Sequence, residues 1–209
     1  STSFVMMGSR VRVTQAAPLP SARNMEVSDG PYDPRAIANL MLDEADRSGI
    51  KVTNLVLQKL LYFAHSIFLI EAKRPLVSGY FETWQYGPVH PATYSAFKTA
   101  GGSPIDFRAT GQNVMTGERI TLDLPEDLTV RRHLARIMSS YGQLSPGRLV
   151  DISHAKGAPW DFIVDKGRTS VALGLRIPDA VIIDRFKYHK VSVGVAPVVG
   201  EPDEDTPLT

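Results

Sequence analysis

Residues 54–72 read Asn-Leu-Val-Leu-Gln-Lys-Leu-Leu-Tyr-Phe-Ala-His-Ser-Ile-Phe-Leu-Ile-Glu-Ala. No other stretch restricts the fold of this chain as strongly. Thr53 is a good helix N-cap. Behind it, Leu55, Leu57, Leu60, Leu61, Phe63, Ile67, Phe68 and Leu69 spread apolar surface round nearly the whole helix. A helix that is apolar on all sides must be buried by other elements. Its 19 residues would also suit a membrane span, but Gln58, Lys59, His65 and Glu71 argue against lipid, where a central lysine is expensive. No membrane partner is expected, and 54–72 is the predicted centre of a helical domain.

The neighbouring patterns supply helices to wrap it. Asp33-Pro34 is a cap followed by a first-turn proline, and Ile37, Leu40, Met41 and Ala45 follow at helical spacing up to Gly49. Asp43 and Arg47 are spaced for an i,i+4 ion pair. A third helix starts near Pro91 with Tyr94 and Phe97 and stops at Gly101-Gly102. Residues 126–141 return to helical period, Ser145-Pro146 opens a further helix, and Pro178 opens the last. Between them, Ile120, Leu122 and Leu124 alternate with polar residues, and Thr116-Gly117 can turn a hairpin. The expected fold is mainly α: one compact helical domain built round the buried helix at about 54–72, with a small β hairpin near 105–124.

The chain has 209 residues and a net charge of +1, which averages unlike parts. Residues 1–30 carry +1, 31–190 carry +4, and 191–209 carry −4. The expected division is a flexible N-terminal extension at 1–31, a domain at 32–190, and a strand with an acidic tail at 191–209. Arg10-Val11-Arg12-Val13 alternates like a short edge strand, and Val191, Val193 and Val195 like another. The start lacks the zones of a signal peptide. With no cysteine, disulfides, thiolate zinc sites and a cysteine nucleophile are excluded, and a reducing cytoplasm suits the chain.

Catalytic patterns are missing. The five histidines, His65, His90, His133, His154 and His189, show no metal-ligand spacing. There is no G-x-S-x-G elbow. Gly142 to Leu149 has the glycine spacing of a P-loop but not its Lys and Ser/Thr. The chain reads as a non-enzyme without cofactor or metal. The densest basic cluster is Arg131, Arg132, His133 and Arg136, either a solvated or partner-facing helix side or a DNA contact.

Three stretches are less ordinary. Gln58, Lys59 and His65 sit inside a greasy helix, where polar groups need partners; they either bond nearby backbone or line a cleft. Glu82-Thr83-Trp84-Gln85-Tyr86-Gly87-Pro88-Val89-His90 places aromatics round a Gly-Pro turn, as core plug or as interface anchors. Leu144-Ser145 leads through His154 to Pro159-Trp160.

Together these stretches resemble the SocA-like antitoxin family, also called the Panacea domain and long described only as phage-associated. The matching motifs are Ile37-Ala38-Asn39, the Thr53–His65 helix, the Trp84–Val89 turn, and Leu144-Ser145 with His154, Pro159 and Trp160, over about residues 32–188. The resemblance implies a bacterial type II antitoxin that neutralises a cognate toxin by direct binding. For the family's namesake it also implies an adaptor that delivers the toxin to a ClpXP-type protease. The residues expected to meet the toxin are Gln58, Lys59, Glu82, Trp84, Gln85, Tyr86, Gly87, Pro88 and His90. His65, His154 and Trp160 are family-signature residues without an assigned role. The rival readings are a DNA-binding autoregulator using Arg131, Arg132 and Arg136, and a small hydrolase, which would need a histidine and a carboxylate converging in a deep pocket.

Overall fold

The computed structural model describes residues 30–167 and 175–187. The strands expected at 10–13 and 191–195, and the acidic tail, lie outside the described residues.

Helix α1 spans Pro34–Arg47 and α2 spans Asn54–Ala72. Strands β1 (Phe81–Trp84) and β2 (Gly87–Val89) follow, then α3 (Pro91–Phe97) with a 3-10 turn at Lys98–Ala100. Strands β3 (Thr110–Gln112) and β4 (Arg119–Thr121) form the expected hairpin. Helices α4 (Leu128–Tyr141), α5 (Pro146–Ser153) and α6 (Pro159–Gly167) precede β5 (Arg176–Ile177) and α7 (Asp179–Arg185). The cap-then-proline signatures act as read: Asp33 accepts the N–H of Arg35 at 2.8 Å, and Ser145 accepts that of Arg148 at 3.3 Å.

Helix α2 is the axis. Leu57, Leu60, Leu61 and Ala64 are fully buried. The helix has the length and hydropathy of a membrane span, yet 83% of its most apolar window is buried inside the fold. Aromatic contacts tie it outward in several directions. Phe63 meets Tyr141 of α4 at 5.0 Å between ring centroids, and Tyr62 meets Phe81 of β1 edge-on at 5.3 Å. Tyr62 also meets Phe186, just after α7, at 5.9 Å. Such pairs add to their area burial.

Three features differ from the sequence reading. The segment from Glu82 to Val89 is a β hairpin, not only a turn into α3, and it belongs to a three-stranded sheet of order β2-β1-β5. Its strands are too short for alternation to be visible, and β5 is recruited from far along the chain, with Phe81 opposite Ile177. Residues 159–167, left without an element, form α6. The expected Asp43–Arg47 pair is also replaced: Arg47 pairs with Glu44, and Asp43 accepts from Arg108 Nε at 2.7 Å. Arg108 reaches Asp43 from outside the helix, a partner that local spacing could not supply.

Asn39 joins α1 to the chain entering β3. Its Nδ2 donates to Ala109 O at 2.9 Å and its Oδ1 accepts from Ala109 N at 2.8 Å. The side chain thus replaces a strand neighbour at a buried site. Asn39→Leu leaves both backbone groups of Ala109 unpaired, each costing about 1–3 kcal/mol. Urea denaturation of this variant should show a loss of at least about 2 kcal/mol.

Candidate functional site

The three unusual stretches converge. Edge strand β2 carries Pro88, which has no N–H to offer a ladder. Its carbonyl accepts from Lys59 Nζ at 3.0 Å. One residue earlier on α2, Gln58 Oε1 accepts the N–H of His90 at 3.0 Å, while Gln58 Nε2 donates to Asn54 Oδ1 at 3.1 Å. Gln58 is 1% exposed and Lys59 fully buried. Two consecutive helix residues therefore give β2 and its exit the donor and the acceptor that a further strand would have given.

The hairpin turn sits over this pair. Gln85 and Tyr86 form the turn between Trp84 and Gly87, which face each other in register. Gly87 has φ +98°, and a Cβ there would lie 2.4 Å from Ser153 Oγ and 3.2 Å from Lys59 Nζ. Both the backbone conformation and the close approach demand glycine. From the other side, Trp160 of α6 donates its indole N–H to Trp84 O at 3.0 Å. His154, at the end of α5, stacks on Trp160 with ring centroids 3.8 Å apart. The Leu-Ser…His…Pro-Trp stretch is thus the hairpin's back wall.

Trp84 and Tyr86 are half-buried and Gln85 is exposed. Trp84 donates to Glu82 Oε2 at 2.9 Å and packs against Tyr94 of α3 at 4.6 Å. Below them lies an apolar cavity of about 20 Å³, lined by Leu55, Gln58, Lys59, Trp84, Tyr86, Val89 and Tyr94. That is room for about one water. Tyr94 and Ser153 were not among the expected site residues. Tyr94 was legible as an anchor of α3, but nothing local joins Ser153 to Gly87.

The buried histidines face protein groups. His90 Nε2 donates to Ser78 O at 2.9 Å, and His133 Nε2 donates to Ala64 O at 2.8 Å. His65 accepts the Val77 N–H at Nδ1 (3.4 Å), so its Nε2 carries the proton and meets Asp179 at 3.1 Å. This is a histidine–carboxylate pair, but both ring nitrogens are engaged, and neither residue lines the described cavities. Among the described residues no cluster could hold a metal.

The basic cluster is partly spent on the fold. Arg131 Nε donates to Pro125 O at 3.1 Å, and Arg136 pairs with Glu71 and contacts His133. Arg132 is exposed and lies between two grooves, one also lined by Glu71 and the other by Glu44.

Burial lowers the pKa of His90, His133 and His154, the last from 6.5 to about 4, with Lys59 adding repulsion. His154 Nε2 is buried without a partner among the described residues. The unfolded chain takes up these protons below pH 6.5 while the folded chain refuses them. Stability should therefore be full above pH 6.5 and decline as the pH falls towards 4. Urea midpoints at descending pH should follow that course, and His154→Gln should flatten it. Gly87→Ala should cost more than about 1–2 kcal/mol, the penalty of the left-handed backbone alone. Adding Ser153→Ala should recover only the part due to the clash.

Comparison with known proteins identifies the family. A family model described as "Antitoxin SocA-like, Panacea domain" matches residues 57–161, from α2 through the hairpin to Trp160 and Asp161. The chain is 46% identical over 175 residues to "Antitoxin SocA" of Caulobacter vibrioides (strain NA1000 / CB15N), covering 84% of this chain and 93% of that protein. No solved structure matches.

Proposed function

Because the chain belongs to the SocA-like, Panacea-domain family of antitoxins, we propose that it neutralises a cognate toxin by direct protein–protein binding through the β1–β2 hairpin. The observation that carries this reading is the pair of half-buried aromatics, Trp84 and Tyr86, at a turn held from beneath by Lys59 and from behind by Trp160. Aromatic residues on a rigid support lose little entropy on binding, and binding energy concentrates on such anchors. Glu82 and Gln85 supply a polar rim. Pro88, Gly87, His90, Gln58 and Lys59 act beneath the surface, shaping the hairpin. His65 has a structural part, joining α2 to Val77 and Asp179.

The finer role is that of an adaptor that hands the bound toxin to a ClpXP-type protease in the cytoplasm. The hairpin would hold the toxin, and the segments at 1–30 and 197–209 would engage the protease. A domain at 32–190 with separate terminal segments suits that division of labour.

The test is co-purification of the pair with surface and support variants. Trp84→Ala and Tyr86→Ala should weaken toxin binding by at least about 30-fold, the effect of losing about 2 kcal/mol at an anchor, with little change in melting temperature. A melting drop large enough to explain the loss would make these residues core. Unimpaired binding in a folded Trp84→Ala, Tyr86→Ala double variant would move the interface elsewhere. Deleting both terminal segments should spare binding and slow toxin degradation.

A further inference from the structure

The outer face of the β2-β1-β5 sheet carries a feature that lies beyond the hairpin turn. Along β1, Phe81 and Thr83 are buried, while Glu82 and Trp84 take the outer face, as alternate strand residues do. Tyr80, directly before β1, is 37% exposed. Across the sheet, Arg176 of β5 stands opposite Glu82. An acid and a base directly opposed on one face are placed to attract each other, yet no ion pair joins them. Glu82 instead accepts the Trp84 indole N–H at 2.9 Å, and the Arg176 guanidinium lies over the Tyr80 ring, 3.8 Å from its centroid. Each charge is held by an aromatic neighbour, and the two are drawn apart along the strand. Arg176 is exposed and has no acidic partner among the described residues. In this it differs from Arg35, Arg108 and Arg136, which acids hold.

A guanidinium stacked on a ring keeps its in-plane N–H edge open to a carboxylate, and the ring fixes its orientation beforehand. The geometry points to a binding surface longer than the hairpin turn: a toxin carboxylate seats on Arg176 over Tyr80, while an apolar toxin side chain meets Trp84 and Tyr86. This rests on the reading of the hairpin as the toxin-binding element, and it names the chemistry of the partner. Charge selects the occupant. With Glu82 engaged by Trp84, the charge this face leaves open among the described residues is positive, so it accepts acidic segments and disfavours basic ones. Spacing selects it further. Tyr80 and Trp84 are four residues apart, about 13 Å of strand, and the toxin must carry its acidic and apolar groups at about that separation. The aromatics then supply most of the affinity, and Arg176 supplies specificity and speed of encounter.

The test is calorimetric titration of the full chain with purified cognate toxin. Arg176→Glu should weaken binding by at least about 30-fold and Arg176→Gln by about tenfold, as for an interfacial charge contact. Both variants should keep the melting temperature of the unaltered chain. Affinity should fall less steeply with salt in Arg176→Gln, which has lost a screened contact. Tyr80→Ala should weaken binding less than Arg176→Glu, because it removes only the support. Replacing the toxin's acids by lysine one at a time should find one that weakens binding to the unaltered chain and restores binding to Arg176→Glu. Unchanged binding in Arg176→Glu, an unchanged salt dependence in Arg176→Gln, or no rescuing charge reversal would overturn the proposal. So would a melting drop in Arg176→Gln that accounts for its loss, since the stack would then be a fastening between β5 and β1. If Trp84→Ala and Tyr86→Ala weaken binding and Arg176→Glu does not, this proposal falls alone. If neither aromatic matters, the hairpin reading falls and takes this one with it.

Discussion

Much of this structure depends on how a sheet edge is closed. Strand β2 is short, contains a proline and, among the described residues, has no strand on its outer side. Left alone it would expose backbone groups inside the protein, which is costly. Helix α2 solves this with Lys59 on the Pro88 carbonyl and Gln58 on the His90 N–H. An ammonium in a fully buried position is itself unfavourable, so Lys59 is tolerated because it is bonded there. Glycine is needed at position 87 because φ there is +98° and Ser153 Oγ, with Lys59 beside it, crowds the place of a Cβ.

This closure connects the packing of α2 to the placement of the hairpin. The apolar bulk of α2 gathers α1, α4, α5 and α7, while its two polar residues fix a hairpin that no hydrophobic contact alone would orient. The hairpin then presents Trp84 and Tyr86 from a support that includes Trp160 and His154. Burial favours the neutral form of His90 and His133, which donate to the carbonyls of Ser78 and Ala64. The result is an aromatic turn held from beneath by Lys59 and from behind by Trp160.

Parts of this were legible in the residues and parts were not. Asp33-Pro34, Thr53 and Ser145-Pro146 mark helix starts because capping is local chemistry. The buried nature of 54–72 follows from an apolar circumference. The Trp84–Val89 segment was recognisable as special, but its strands were not, since runs of three and four residues carry too little periodicity. Arg108 displaced the expected partner of Asp43, and Glu71 took up Arg136, because surface charges choose among neighbours that only folding brings near.

By itself the sequence determined a mainly helical domain round α2, the family, and the set of unusual residues. Those properties reside in local propensity, in the period of apolar residues and in short motifs. Only the tertiary structure decided what the unusual residues do together. Gln58 and Lys59 face β2, Ser153 stands against Gly87, and Trp160 reaches Trp84 across 76 positions of chain. Such contacts depend on how elements pack in space, and separation along the chain carries no record of it.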